Sequence, residues 1–164
     1  ADNPLSNLAV PVVLKNIDHQ GKQSSDEEAR FITDSIAGFL RRGVKEEDMA
    51  VLTPFRAQAA NIRRLLKRHK EIDEEQRRSI TVDTIDKMQG QERDVIFVSL
   101  AAGDAEYMAE MADFLFSGNK LNVAFSRARF KLIVVGNLAC IERLSLPDFP
   151  HLGRFLRSPF AARI

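Results

Sequence analysis

Apolar residues along this chain fall into two alternating rhythms. Residues 10–14, Met49-Ala50-Val51-Leu52, Val95-Ile96-Phe97-Val98 and Leu132-Ile133-Val134-Val135 are short, nearly unbroken apolar runs. Runs of that length, rich in β-branched residues, predict strands buried on both faces. Between them apolar residues recur at helical spacing, as Ala29, Ile32, Ile36, Phe39 and Leu40, and again as Ala59, Ile62, Leu65 and Leu66. Ser24-Ser25-Asp26-Glu27-Glu28 supplies a helix start with acids in its first turn. Gly43 supplies the stop, and Thr53-Pro54 ends the second strand.

Further along, the pattern predicts strands over about 79–85, 94–101 and 131–136. It predicts helices over 121–128 and 138–144, a short helix in the connection 103–117, and one more over 149–156. Strand and helix alternate throughout. That order predicts an α/β fold, a mostly parallel sheet with helices on both faces.

Composition narrows the function classes. At 164 residues the chain fits one domain, 1–164, with a sizeable core. A hydrophobic share of 45% and a charged share of 29% make an ordinary soluble profile. No apolar run has the length of a membrane span, so no membrane partner is expected. Ala1-Asp2-Asn3-Pro4 lacks the features of a signal peptide, and a cytoplasmic location is expected. Cys140 is the single cysteine and reads as a small buried hydrophobe. His19, His69 and His151 lack ligand spacing, so no metal site is expected on this chain. A net charge of +1 argues neither for nor against nucleic acid.

A nucleotide-hydrolysing domain of this class needs a glycine-rich loop ending in Gly-Lys-[Ser/Thr], whose backbone N–H groups cradle the phosphates. The one Gly-Lys pair, Gly21-Lys22, is followed by Gln23, and Asn16 stands where the first glycine belongs. No strand ends in an acidic pair suited to magnesium. The chain alone is therefore expected to be inactive as a nucleotidase.

Three polar segments flank the buried strands. They are TPFRAQ at 53–58, TIDKMQGQE at 84–92 and LNVAFSRAR at 121–129. In this order, each followed by the expected element, they resemble motifs IV, V and VI of the superfamily 1 DNA and RNA helicases. The similarity is to the branch that contains the eukaryotic RNA-decay helicase and its bacterial relatives. The resemblance implies that the chain is the second, C-terminal RecA-like domain, a fragment of a larger protein. In that family the first RecA-like domain carries the phosphate loop and the Mg2+ ligands, and ATP binds between the two.

The resemblance also implies roles for residues. Arg127 becomes the arginine finger on the γ-phosphate, where charge develops during phosphoryl transfer. Arg129, two positions along the same predicted helix, points away and becomes a structural or helper residue. Arg56 is a second γ-phosphate candidate, since a guanidinium binds phosphate oxygens bidentately. Some relatives carry that arginine one place after the Gln, where this chain has Ala59. Glu92 accepts from ribose hydroxyls, Gly90 allows the turn beside the nucleotide, and Gln89 orients the loop or touches phosphate. Phe55 is either a stacking surface for adenine or core filler.

The resemblance further implies that Thr84 and Lys87, with Thr53 as a further candidate, contact a single-stranded DNA or RNA backbone on a different face. Asp86 is expected to order the loop. Arg63, Arg64, Lys67, Arg68 and Lys70 form a basic helix face that reads as solvated, because Glu71, Asp73, Glu74 and Glu75 follow directly. The expected function is an ATP-dependent motor domain coupling hydrolysis to translocation. The alternative is a nucleic-acid-binding or docking module without ATPase activity.

Overall fold

The computed structural model describes residues 3–88, 90–116, 118–144 and 150–164. Its described strands form one six-stranded sheet: β1 (Val12–Asn16), β2 (Met49–Thr53), β3 (Thr81–Thr84), β4 (Arg93–Ser99), β5 (Ala128–Gly136) and β6 (Ala161–Arg163). The order across the sheet is β3-β2-β4-β5-β1-β6, and every pair is parallel.

Burial on both faces explains the unbroken apolar runs. Val13, Val51, Phe97, Ile133 and Val135 face one side, where they pack on α1 (Asp26–Arg41) and α2 (Arg56–Arg68). Leu14, Leu52, Ile96, Val98 and Val134 face the other side. That face is covered by α4 (Ala105–Glu110), α5 (Ala112–Phe116), α6 (Gly118–Ser126), α7 (Leu138–Leu144) and α8 (Pro150–Leu156).

Helix α1 begins as its sequence dictates. The Ser25 hydroxyl accepts from the Glu28 N–H at 3.1 Å, and Asp26, Glu27 and Glu28 occupy the first turn. It ends at Gly43, whose φ of +90° lets the Val44 N–H return to the Phe39 carbonyl at 3.1 Å. Helix α3 (Glu74–Ser79) was not expected, because it buries no residue and so leaves no apolar period. A capping box between Asp73 and Gln76 defines it instead. The strand expected over 79–85 is shorter, and Ile85–Met88 forms a 3-10 turn that buries Ile85 and Met88. β6 was also unforeseen, since three residues are too few to show a period.

Candidate functional site

The strand register sorts the sequence-predicted residues to two ends of the sheet. Thr53 pairs with Thr84. Leu52 stands opposite Val98, which sets Thr53 level with Ser99. Glu92 and Arg127 precede Arg93 and Ala128, which pair with each other at the start of β4 and β5. Six residues of strand separate the two levels, about 20 Å at roughly 3.3 Å per residue.

At the amino end, motif VI straddles a helix and a strand. The sequence pattern put Arg127 and Arg129 on one helix. The structure corrects this: α6 stops at Ser126, Arg127 is the turn, and Arg129 lies on β5. The Arg127 N–H bonds the Ala124 carbonyl at 3.3 Å, and the Arg127 carbonyl accepts from the Arg93 N–H at 3.0 Å. That bond ties motif VI directly to motif V.

The two arginines differ in their surroundings. Arg129 Nε donates to Asp94 Oδ1 at 2.7 Å and pins β5 to β4. Arg127 is half-buried, and its Nε is buried without a hydrogen-bond partner among the described residues. Arg93 Nε shares that condition, although its terminal nitrogens reach the Glu92 carbonyl, Thr81 Oγ1 and Gln91 Oε1. Glu92 is exposed beside them. Gly90 has φ +76°, and nothing stands within 4 Å of where a Cβ would be, so conformation alone calls for glycine there. Gln89 lies outside the described residues.

At the carboxyl end, two expectations meet buried side chains. Thr53 is fully buried, and its hydroxyl accepts from the Phe55 N–H at 3.3 Å, so it serves the turn and presents nothing to a phosphate. Phe55 is only 6% exposed and packs against Tyr107 and Phe114 at 6.4 and 5.7 Å between ring centroids. That burial is what the core-filler reading expects. Arg56 opens α2, is exposed, and has no ion-pair partner among the described residues. The structure does not bring it to Arg127. Thr84 is half-buried, with its N–H on Asp83 Oδ1 at 2.9 Å. Lys87 is exposed, 3.7 Å from Asp83, and Asp86 pairs with Lys120 at 3.8 Å.

A buried polar network at this end was missed. Glu28 is 0% exposed, and its Oε1 accepts from Ser99 Oγ at 2.8 Å and the Ala101 N–H at 3.0 Å. Its Oε2 meets His19 Nε2 in a close contact. Gln58, the last residue of motif IV, donates to Ser99 Oγ at 3.0 Å and the Ser25 carbonyl at 3.1 Å. Its Oε1 accepts from the Ser25 N–H at 2.9 Å. Ala101 has φ +65°, rare without glycine, and the Glu28 carboxylate holds its N–H there. One signal was legible: Glu28, Ile32 and Ile36 share the i, i+4 spacing of the buried stripe.

Lys131 gives a second case. It shares strand parity with Ile133 and Val135, is 1% exposed, and donates to the carbonyls of Pro4, Asn7 and Val10 at 2.9, 2.9 and 2.8 Å. Burial pushes its ammonium down to about 8. Burial likewise raises the Cys140 thiol, which sits inside α7 as expected. No described helix is long and apolar enough to cross a membrane.

Known proteins match along this same span. A family model described as an AAA domain covers residues 5–139. The DNA polymerase alpha-associated DNA helicase A of Schizosaccharomyces pombe is 34% identical over 133 residues, 81% of this chain and 18% of that protein. The DNA replication ATP-dependent helicase/nuclease DNA2 of Mus musculus is 32% identical over 157 residues, 93% of this chain and 13% of that one. A regulator of nonsense transcripts 1 homolog from Drosophila melanogaster is 28% identical over 79% of this chain and 11% of its own length. The chain thus spans less than a fifth of each of these relatives. Among solved structures, the C-terminal domain of a possible DNA helicase from Lactobacillus plantarum WCFS1 shares the fold. Its TM-score is 0.58 at 15% identity, over 99% of this chain and 96% of that one.

Proposed function

The chain belongs to the superfamily 1 helicases, as their C-terminal RecA-like domain, and from that premise we propose that it completes an ATP site whose other half is a preceding RecA-like domain. ATP with Mg2+ supplies the phosphoryl group that is transferred to water, and the Mg2+ ligands belong to the other domain.

The observation that carries this reading is the contrast between two neighbouring arginines. Arg129 is engaged by Asp94, whereas Arg127 holds a buried Nε with no partner among the described residues. A half-buried guanidinium with no carboxylate beside it among the described residues is suited to an anion. Arg127 therefore takes the γ-phosphoryl oxygens when the domains close, and Glu92, across the Arg93–Arg127 backbone bond, takes the ribose. Gly90 and Gln89 shape the loop between. Arg56 offers a second, separate cation at the carboxyl end. Thr84 and Lys87, about 20 Å away along the strands, face a single-stranded DNA or RNA backbone. The residues of motif V thus join the two ends, so that loss of the γ-phosphate at one changes the grip at the other, and the domain moves along the strand.

The test is nucleic-acid-stimulated ATP hydrolysis by the full-length protein. Arg127→Ala is expected to lower kcat by about 10³-fold or more. Arg129→Ala, which loses only an exposed ion pair, leaves kcat within a few-fold. Equal effects of the two substitutions would refute the assignment.

A further inference from the structure

The basic face of α2 was expected to be solvated, because four acids follow it directly in the sequence. Three of those acids are engaged away from α2. Glu71 pairs with Arg41. Asp73 caps α3, and Glu74 pairs with Arg78 and Arg77 at 2.6 and 3.8 Å on its own helix. What remains between α2, α3 and the edge strand β3 is a groove of about 530 Å³ lined by Arg63, Arg64, Lys67, Arg77 and Arg78, with no acidic side chain in its lining. Carboxylates that are not part of the lining pair with these cations: Asp83 with Arg63 at 3.6 Å, Asp26 with Arg64 at 3.5 Å, and Glu74 with Arg78 at 2.6 Å. Lys67 has no ion-pair partner among the described residues. Exposed pairs of this kind are weak, so a phosphate can replace them at little cost.

The groove is also continuous with the carboxyl end of the sheet. Arg63 donates to the Val82 carbonyl on β3. The Asp83 carboxylate then stands between Arg63, at 3.6 Å, and Lys87, at 3.7 Å. A line of cations thus runs down the edge of the sheet from Lys87, past Arg63, to Lys67 and Arg78. Ile80 to Thr84 spans about 13 Å at roughly 3.3 Å per strand residue. That is room for a few phosphates of one strand.

We propose that this edge groove is a second contact for the nucleic-acid backbone, which extends the track from Thr84 and Lys87 along the flank of the domain. Phosphodiester is the ligand because the lining is cationic, holds no carboxylate, and carries no aromatic side chain to read a base. The proposal rests on the helicase reading above.

Its test uses the full-length protein and a fluorescent single-stranded oligonucleotide, with affinity followed by anisotropy across a salt series. The double substitution Lys67→Gln/Arg78→Gln removes two surface cations that have no part in the ATP site. The slope of log affinity against log salt is expected to become shallower by about 1.4, two contacts at roughly 0.7 each, with about tenfold weaker binding at low salt. Thermal unfolding and nucleic-acid-independent ATPase stay as in the wild type. If the wild type binds the strand and the variant shows the same slope and affinity, the groove assignment fails while the helicase reading stands. A variant that loses binding to polyglutamate but keeps the wild-type nucleic-acid slope would point to an acidic protein partner and overturn the proposal. A wild type with no affinity for any single strand would overturn the helicase reading and the groove together.

Discussion

Glu28→Ala is expected to damage the fold well beyond what a first-turn acid normally would. The carboxylate has no exposure and serves three donors: Ser99 Oγ at 2.8 Å, the Ala101 N–H at 3.0 Å and His19 Nε2. Each orphaned buried donor costs about 1–3 kcal/mol. Relaxation of Ala101 from φ +65°, a backbone conformation costing roughly 1–2 kcal/mol, offsets part of that loss. Water entering the vacated space offsets part of the loss. The net destabilisation is therefore expected at about 3–5 kcal/mol. In equilibrium urea unfolding followed by far-UV circular dichroism, the midpoint falls by about 1.5–2.5 M for a slope of roughly 2 kcal/mol per M. Glu27→Ala, one residue away and exposed, is the control, with a change of no more than about 1 kcal/mol from the helix dipole. Ser99→Ala combined with Glu28→Ala should be non-additive by about 0.5–3 kcal/mol, since both remove the same bond. A loss below about 1 kcal/mol for Glu28→Ala, or strict additivity with Ser99→Ala, would refute the network as the element that fixes this end of the sheet.

Two further outcomes are expected from the domain itself. The Lys131 pKa is lowered to about 8 from 10.5, so between those values the unfolded chain binds more protons than the native one and stability rises with pH; Lys131→Met should flatten that rise in urea midpoints measured across the interval. Gly90→Ala should cost about 1–2 kcal/mol of stability, from positive φ alone with no steric clash, and Gly90→Asn should recover part of it in the same unfolding assay.

Much of the fold was legible because it depends on local chemistry. Ser25 and Gly43 bounded α1 through capping and positive φ, which are properties of a few adjacent residues. The buried runs identified four strands, because a parallel sheet covered on both faces needs them apolar throughout. What escaped the pattern had no period to show. α3 buries nothing, β6 is three residues long, and α6 ends at Ser126, two residues before its expected end, which leaves Arg127 outside the helix. Phe55 and Thr53 shared the same difficulty, since a residue at the end of a buried strand reads as a site until its neighbours in space are known.

The sequence by itself determined that strand and helix alternate, that a phosphate loop is missing, and that three polar segments sit beside buried strands, because each follows from residue type and spacing over a short span. Tertiary structure decided which charges remain available. It paired Arg129 with Asp94 and left Arg127 Nε without a partner among the described residues, drew Glu28 and Lys131 inside, and engaged Glu71, Asp73 and Glu74 away from the basic face of α2. Partners of that kind come from distant parts of the chain, and their distances and burial set the energy of a charge more than its place in the sequence does.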